Sequence, residues 1–218
     1  MNTKEAKQIA VGLSEPSKMP CWSYSIPTAH CKAGGKLREV PGSVCFHCYA
    51  DLRGNYRFDN VQSSLESRYQ SLGNAAWVDG MVHLITHPDK PKYPKDASYF
   101  RWHDSGDLQD ERHLENICEI ARRLPQVKFW LPTKEWKLCR EYFATHERPA
   151  NLTVRLSMPL KDQAARPADD TFVYSEVFTK SGAPSNGAFV CRSKDQGNKC
   201  LDCRACWNNQ APTAYPEH

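Results

Sequence analysis

Eight of the ten cysteines in this 218-residue chain stand in two groups at opposite ends. Cys21, Cys31, Cys45 and Cys48 fall in the first quarter, and Cys191, Cys200, Cys203 and Cys206 lie near the C-terminus. Cys31, Cys45 and Cys48 form a C-x13-C-x2-C pattern. A C-x2-C pair sets two sulfurs on one tight turn, an arrangement used for zinc and for iron–sulfur clusters. Cys21 and His30 are candidates for a fourth ligand. Four protein ligands make a closed, structural zinc site, whereas three thiolates leave one iron of a four-iron cluster open to a substrate. At the other end, Cys200, Cys203 and Cys206 form C-x2-C-x2-C, with Cys191 upstream. This ferredoxin-like pitch suits a second 4Fe-4S cluster or a zinc knuckle. Lys194, Lys199 and Arg204 would offset its negative charge and Trp207 would shield it. Sulfurs from both ends sharing one cluster is a further arrangement that spacing leaves open.

Cys118 and Cys139 stand apart from both groups. Leu114, Ile117, Cys118, Ala121 and Leu124 make one face of an amphipathic helix over 110–124, and Trp136, Cys139, Tyr142 and Phe143 do the same over 134–146. Both thiols are therefore expected in the core.

An even number of cysteines makes a disulfide framework the competing expectation. The opening MNTKEAKQIAVGLSEPSKMPCW has no apolar h-region and no small-residue cleavage site. The expected setting is thus the cytoplasm, where thiols stay reduced and clustered thiols serve as metal ligands. Hydrophobic residues make up 40% and charged residues 25%, and no apolar run approaches the ~20 residues of a membrane helix. A net charge of +4 is too small to argue by itself for nucleic acid.

Strand and helix patterns alternate along the chain. Strands are expected at 22–26, 98–103, 127–131, 152–156 and 171–178. Helices are expected along Val61, Leu65, Tyr69 and Leu72, between Asn60 as N-cap and Gly73 as stop, and along Trp77, Met81, Leu84 and Ile85 up to His87-Pro88. With the two cysteine-bearing helices, these imply right-handed crossovers and a mainly parallel sheet. The expected fold is a single α/β domain, either an incomplete (βα) barrel or a doubly wound sheet. Within it, 1–20 reads as an N-terminal extension, 21–60 as the cysteine loop region, 61–180 as βα units and 188–210 as the C-terminal cysteine cluster.

Three inferred strands run into polar turns: His103-Asp104-Ser105-Gly106-Asp107, Pro132-Thr133-Lys134-Glu135 and Arg155-Leu156-Ser157-Met158-Pro159. The C-terminal strand ends of parallel α/β sheets form the ligand face, so these turns and the cysteine loop are expected on one rim. The plainer expectation is that Asp107 and Thr133 only cap helices. His103 and Asp104 suit acid–base work or hydrogen bonding within the mouth. Arg155 suits a carboxylate, or else a structural ion pair.

The cysteine loop after the first strand, closing in a C-x2-C with an aromatic inside it, resembles that of the radical S-adenosylmethionine (SAM) enzymes. Ser105-Gly106-Asp107 stands where that superfamily has Gly-Gly-Glu, and the first spacing is longer than its usual C-x3-C. The resemblance implies a partial (βα) barrel and a 4Fe-4S cluster on Cys31, Cys45 and Cys48. SAM would be chelated at the open iron and cleaved to methionine and a 5′-deoxyadenosyl radical that takes a hydrogen from the substrate. It implies Ser105, Gly106 and Asp107 at the SAM amino group, Arg155 and Ser157 at its carboxylate or ribose, and Lys134 as a lesser candidate. His47 or Tyr49 would stack on adenine, and an electron-donor protein would be a partner. The phrases KMPCWSYSIP, PGSVCFHCYA, RWHDSGDL, FWLPTKEW, VRLS and CLDCRACW resemble a bacteriophage family, the gene product 88 proteins, over residues 18–207. For such a protein the setting is the host cytoplasm.

Two other functions suit the same residues. One is a zinc-ribbon protein in which Arg192, Lys194, Lys199, Arg204 and Trp207 contact nucleic acid or a partner protein. The other is an iron–sulfur redox protein without SAM.

Overall fold

The computed structural model describes residues 1–51 and 54–217. Its strands are β1 (Trp22–Tyr24), β2 (Tyr99–Trp102), β3 (Lys128–Thr133), β4 (Leu152–Ser157), β5 (Val173–Phe178), β6 (Phe189–Val190) and β7 (Thr213–Pro216). Its helices are α1 (Thr3–Ala10), α2 (Ala33–Leu37), α3 (Asp59–Ser71), α4 (Trp77–Thr86), α5 (Glu111–Arg123) and α6 (Trp136–Phe143). All strand pairings are parallel, in the order β1-β2-β3-β4-β5-β7-β6, and the sheet is open.

That order explains where the helices go. Each of the first five strands is laid beside its predecessor in the same direction, so right-handed crossovers carry α3 to α6 to one face. A doubly wound sheet needs its order to reverse near the middle. Here the order reverses only at the edge, where β7 enters between β5 and β6, so that alternative is set aside. Trp22, Tyr24, Phe100, Trp102, Phe129, Leu131, Val154 and Leu156 face the helices and bury Trp77, Met81, Leu114, Ile117, Cys118 and Cys139. The alternate residues of the same strands, among them Ser23, Arg101, Trp130, Thr153 and Arg155, face the other way. Among the described residues no α-helix covers them. That face is instead sealed by Met19, Cys21 and Trp207 from the two chain ends.

Most expected elements are present within one to three residues at their ends, with corrections at the caps. α3 begins at Asp59 behind Phe58, not behind Asn60. α5 is capped by Asp110, whose carboxylate accepts from His113 N–H at 2.8 Å. The segment read as an N-terminal extension holds α1, stabilised by a capping box between Asn2 and Glu5. Ala6 and Ala10 join the core, and Gly80 of α4 admits Ile9, since a Cβ there would stand 2.9 Å from Ile9 Cγ2. α2, β6 and β7 add to the expected set. Among the described residues, no helix is long and apolar enough to cross a membrane.

Candidate metal centres

The loop bearing Cys31, Cys45 and Cys48 is fastened over the C-terminal ends of β2, β3 and β4. Gln109, past β2, donates from Nε2 to His30 O (3.2 Å), and its own carbonyl accepts from Lys32 Nζ. Glu135, past β3, accepts from Ala33 N–H (2.7 Å). Past β4, Pro159 O accepts from Val44 N–H (2.9 Å), and Lys161 N–H donates to Gly42 O (2.9 Å). Buried Ser43 donates to Leu37 O (2.5 Å) and accepts from Phe46 N–H (3.0 Å), closing the turn ahead of the C-x2-C pair.

Cys31 and Cys45 approach each other at this rim, and Cys48 is near enough for its charge to act on both. A Cβ built on Gly34 would stand 3.5 Å from Cys45 Sγ and 3.8 Å from Cys31 Sγ, so the two sulfurs are within about 7.3 Å of each other. Burial pushes the Cys31 thiol up to about 12, and the negative charges of Asp107, Cys48 and Cys45 add to it, against Arg38. Burial also raises Cys45, with Lys134 opposing and Cys48 and Asp107 adding. Neutral thiols gathered this closely release protons when a metal arrives. Neither expected fourth ligand is beside them. His30 Nε2 pairs with Glu66 (2.9 Å), and its ring stacks on Tyr69 at 3.6 Å. Cys21 precedes β1, at the opposite end of that strand, and is near Cys200.

The residues expected to bind SAM have partners within the fold. Asp107 accepts from Leu108 N–H (2.8 Å), Thr133 Oγ1 (2.5 Å) and Lys134 N–H (2.8 Å), joining the turns after β2 and β3. Burial lifts its carboxyl to about 6, against these bonds. Ser105 Oγ donates to Ile26 O (3.0 Å), and Ser105 O accepts from Ile26 N–H (3.1 Å). A Cβ on Gly106, which sits at φ +80°, would lie 2.3 Å from Ile26 Cγ1. Arg155 is fully buried and donates to the carbonyls of Tyr174 (2.9 Å), Asn208 (2.9 Å), Ala205 (3.3 Å) and Ala211 (3.4 Å). Ser157 Oγ accepts from Ser175 Oγ (3.3 Å), and exposed His47 lies edge-on to Phe46.

His103 and Asp104 diverge. Asp104 accepts from Ser23 Oγ (2.9 Å), Ser25 Oγ and Tyr56 OH (3.1 Å), while its carbonyl accepts from Tyr49 OH. His103 is buried with its ring centroid 5.2 Å from that of His113. Among the described residues, no partner reaches either nitrogen of either ring.

The C-terminal thiols are gathered separately. Cys191, Cys200, Cys203 and Cys206 line one recess together with Phe189, Trp207 and Thr213. Cys203 N–H donates to Cys200 O (3.0 Å), which turns the chain between the two sulfurs. Cys200 N–H reaches Lys18 O (3.0 Å) and Cys191 N–H reaches Ala214 O (2.9 Å), anchoring the recess to both chain ends. Burial lifts Cys206 to about 11, opposed by the hydroxyl of Tyr215 and by Arg155. Trp207 is buried and donates to Phe100 O (2.8 Å), so its ring is not available to stack on a base. Arg204 pairs with Asp96 (3.3 Å).

All ten cysteines are free, so the disulfide expectation is not met, and Cys118 and Cys139 are buried in the helix-side core. Among the described residues, no three His, Cys, Asp or Glu side chains are drawn together tightly enough to hold a single metal ion. Comparison with protein families matches residues 1–209 to the one described as gene product 88. The chain belongs to the gene product 88 family. Neither the curated proteins nor the solved structures contain a match to it. In this gene product 88 protein, sequence reasoning missed Gly34 and Tyr215. Gly34-Gly35 between the first two rim cysteines was a readable signal. Tyr215 gave none, because only the folded chain sets its hydroxyl against Cys206.

Proposed function

We propose that this is an iron–sulfur protein in which Cys31, Cys45 and Cys48 hold a four-iron cluster at the rim of a partial-barrel sheet, leaving one iron for a small-molecule ligand. The observation that carries this is the meeting of two rim sulfurs across Gly34, with Cys48 beside them and with Cys21 and His30 both engaged elsewhere. A closed zinc site needs four protein ligands, whereas three thiolates without a fourth suit a cluster with one open iron.

SAM is the proposed ligand, by likeness to the radical SAM enzymes, and the bound cluster would supply the electron that cleaves it to methionine and a hydrogen-abstracting radical. The chain's own residues hold the sulfurs and shape the rim. Gly34 keeps the space between Cys31 and Cys45 clear, and Lys134 sets positive charge beside Cys45. Asp107, through its three hydrogen bonds, acts as a positioning residue for the turns after β2 and β3. One observation favours a redox protein without SAM: Ser105, Asp107 and Arg155 spend their polar groups inside the fold.

Anaerobic reconstitution with iron and sulfide, then dithionite and SAM, decides between these. The proposal expects 5′-deoxyadenosine and methionine, and an altered electron paramagnetic resonance signal when SAM is added. An unchanged signal without products leaves the redox protein. A colourless protein with stoichiometric zinc removes both.

A further inference from the structure

We propose that Cys191, Cys200, Cys203 and Cys206 ligate a second, coordinatively closed iron–sulfur cluster, and that Arg155 is buried beside it to balance its charge. This does not depend on the reading of the rim thiols.

The four thiols line a single recess together with Phe189, Trp207 and Thr213. Four thiolates around one recess are the donor set of a closed cubane. Two hydroxyls stand against the sulfurs: Tyr215 OH at 3.2 Å from Cys206 Sγ, and Ser193 Oγ at 3.3 Å from Cys191 Sγ. Each can donate to a thiolate once the thiol proton is gone, as outer partners of ligating sulfurs do.

Charge points the same way. Arg155 is fully buried and bonds only carbonyl oxygens. It forms no ion pair among the described residues, and its Nε has no partner there. A guanidinium keeps its charge, and a buried charge needs a counter-charge. One of its bonds goes to the carbonyl of Ala205, which lines the same recess as Cys206. Four thiolates on a metal core supply the missing negative charge. Each Sγ–H gives its proton to solvent as its Fe–S bond forms, with no change in sulfur oxidation state. With every iron held by protein, such a centre takes up and passes electrons without binding substrate.

The test is iron and acid-labile sulfide analysis of full-length protein reconstituted anaerobically with ferrous iron and sulfide. It is run on wild type, on Cys31→Ser/Cys45→Ser/Cys48→Ser and on Cys200→Ser/Cys203→Ser, each checked by circular dichroism. The rim variant is expected to keep about four irons and four sulfides per chain and a visible band bleached by dithionite. A rim variant that is colourless, or that holds one zinc and no sulfide, overturns the proposal. The second variant reports on the rim site alone: about four irons there confirm that site, and none sinks it without touching the C-terminal one.

Discussion

Gly34 stands between two thiols: a Cβ there would be 3.2 Å from Cys31 Cβ and 3.5 Å from Cys45 Sγ. Any longer side chain enters the space that a rim cluster needs. Gly34→Leu is therefore expected to retain wild-type circular dichroism, since α2 lies at the rim and outside the main helix-side core. Reconstituted iron should fall from about eight to about four per chain. An iron content equal to wild type would contradict a cluster between Cys31 and Cys45.

Gly106 carries a different constraint. Its φ of +80° is left-handed, and an added Cβ would meet Ile26 Cγ1 at 2.3 Å and Ile26 O at 2.6 Å. One of these contacts is backbone, so a rotamer change cannot relieve both. Gly106→Ala should lower unfolding free energy by more than about 2 kcal/mol, combining strain with overpacking. Urea denaturation measures it, and a change below about half of that would show the β1 and β2 ends to be loosely coupled.

The parts of this chain legible in sequence were those with a local period. Helices carrying Cys118 and Cys139 announced their apolar faces, and the strands from Phe100 to Leu156 were read from short β-rich runs. α1 was missed because TKEAKQIA offers few apolar residues, although Asn2 and Glu5 hold the capping-box spacing. β6 has two residues and β7 four, too short for alternation to show. Cys21 was grouped with Cys31 by proximity in sequence. β1 separates them, and a strand carries its two ends to opposite edges of a sheet. Arg155 looked like a ligand at a strand end. Its acceptors are carbonyls of residues 174 and 205–211, which no local pattern could pair with it.

His113 sets an acid limit on stability. Burial pushes its imidazole down to about 4, with Asp110 opposing; His103, also held low by burial, and Trp77 face it. The folded pKa lies below the ordinary value near 6.5, so the unfolded chain binds the proton first. Stability from this group is complete above pH ~6.5 and is lost as pH falls toward 4, by on the order of 3 kcal/mol. Asp107, lifted by burial to about 6, has the opposite slope over part of this window, so the comparison must be between variants. His113→Phe should lose less stability than wild type between pH 7 and pH 4.5 in urea titrations. Parallel pH profiles for the two proteins would show that His113 is not buried as a neutral ring.

Arg155 fastens residues 205–211 to β4 and, in the proposed second centre, also supplies charge; two substitutions separate these roles. Arg155→Met leaves the buried carbonyls of Tyr174 and Asn208 without their donor, at about 1–3 kcal/mol each. The C-terminal segment should then loosen, and trypsin should cut faster at Lys199 and Arg204. Arg155→Lys keeps the charge but lacks the planar fork, so it should loosen the segment as well. The midpoint potential of the C-terminal cluster, measured in the rim variant, should move negative in Arg155→Met and stay near wild type in Arg155→Lys. Removing a nearby cation disfavours the added electron, whereas lost hydrogen bonds to the backbone alone affect both variants alike. Equal potentials in all three proteins would leave Arg155 as a fastener only.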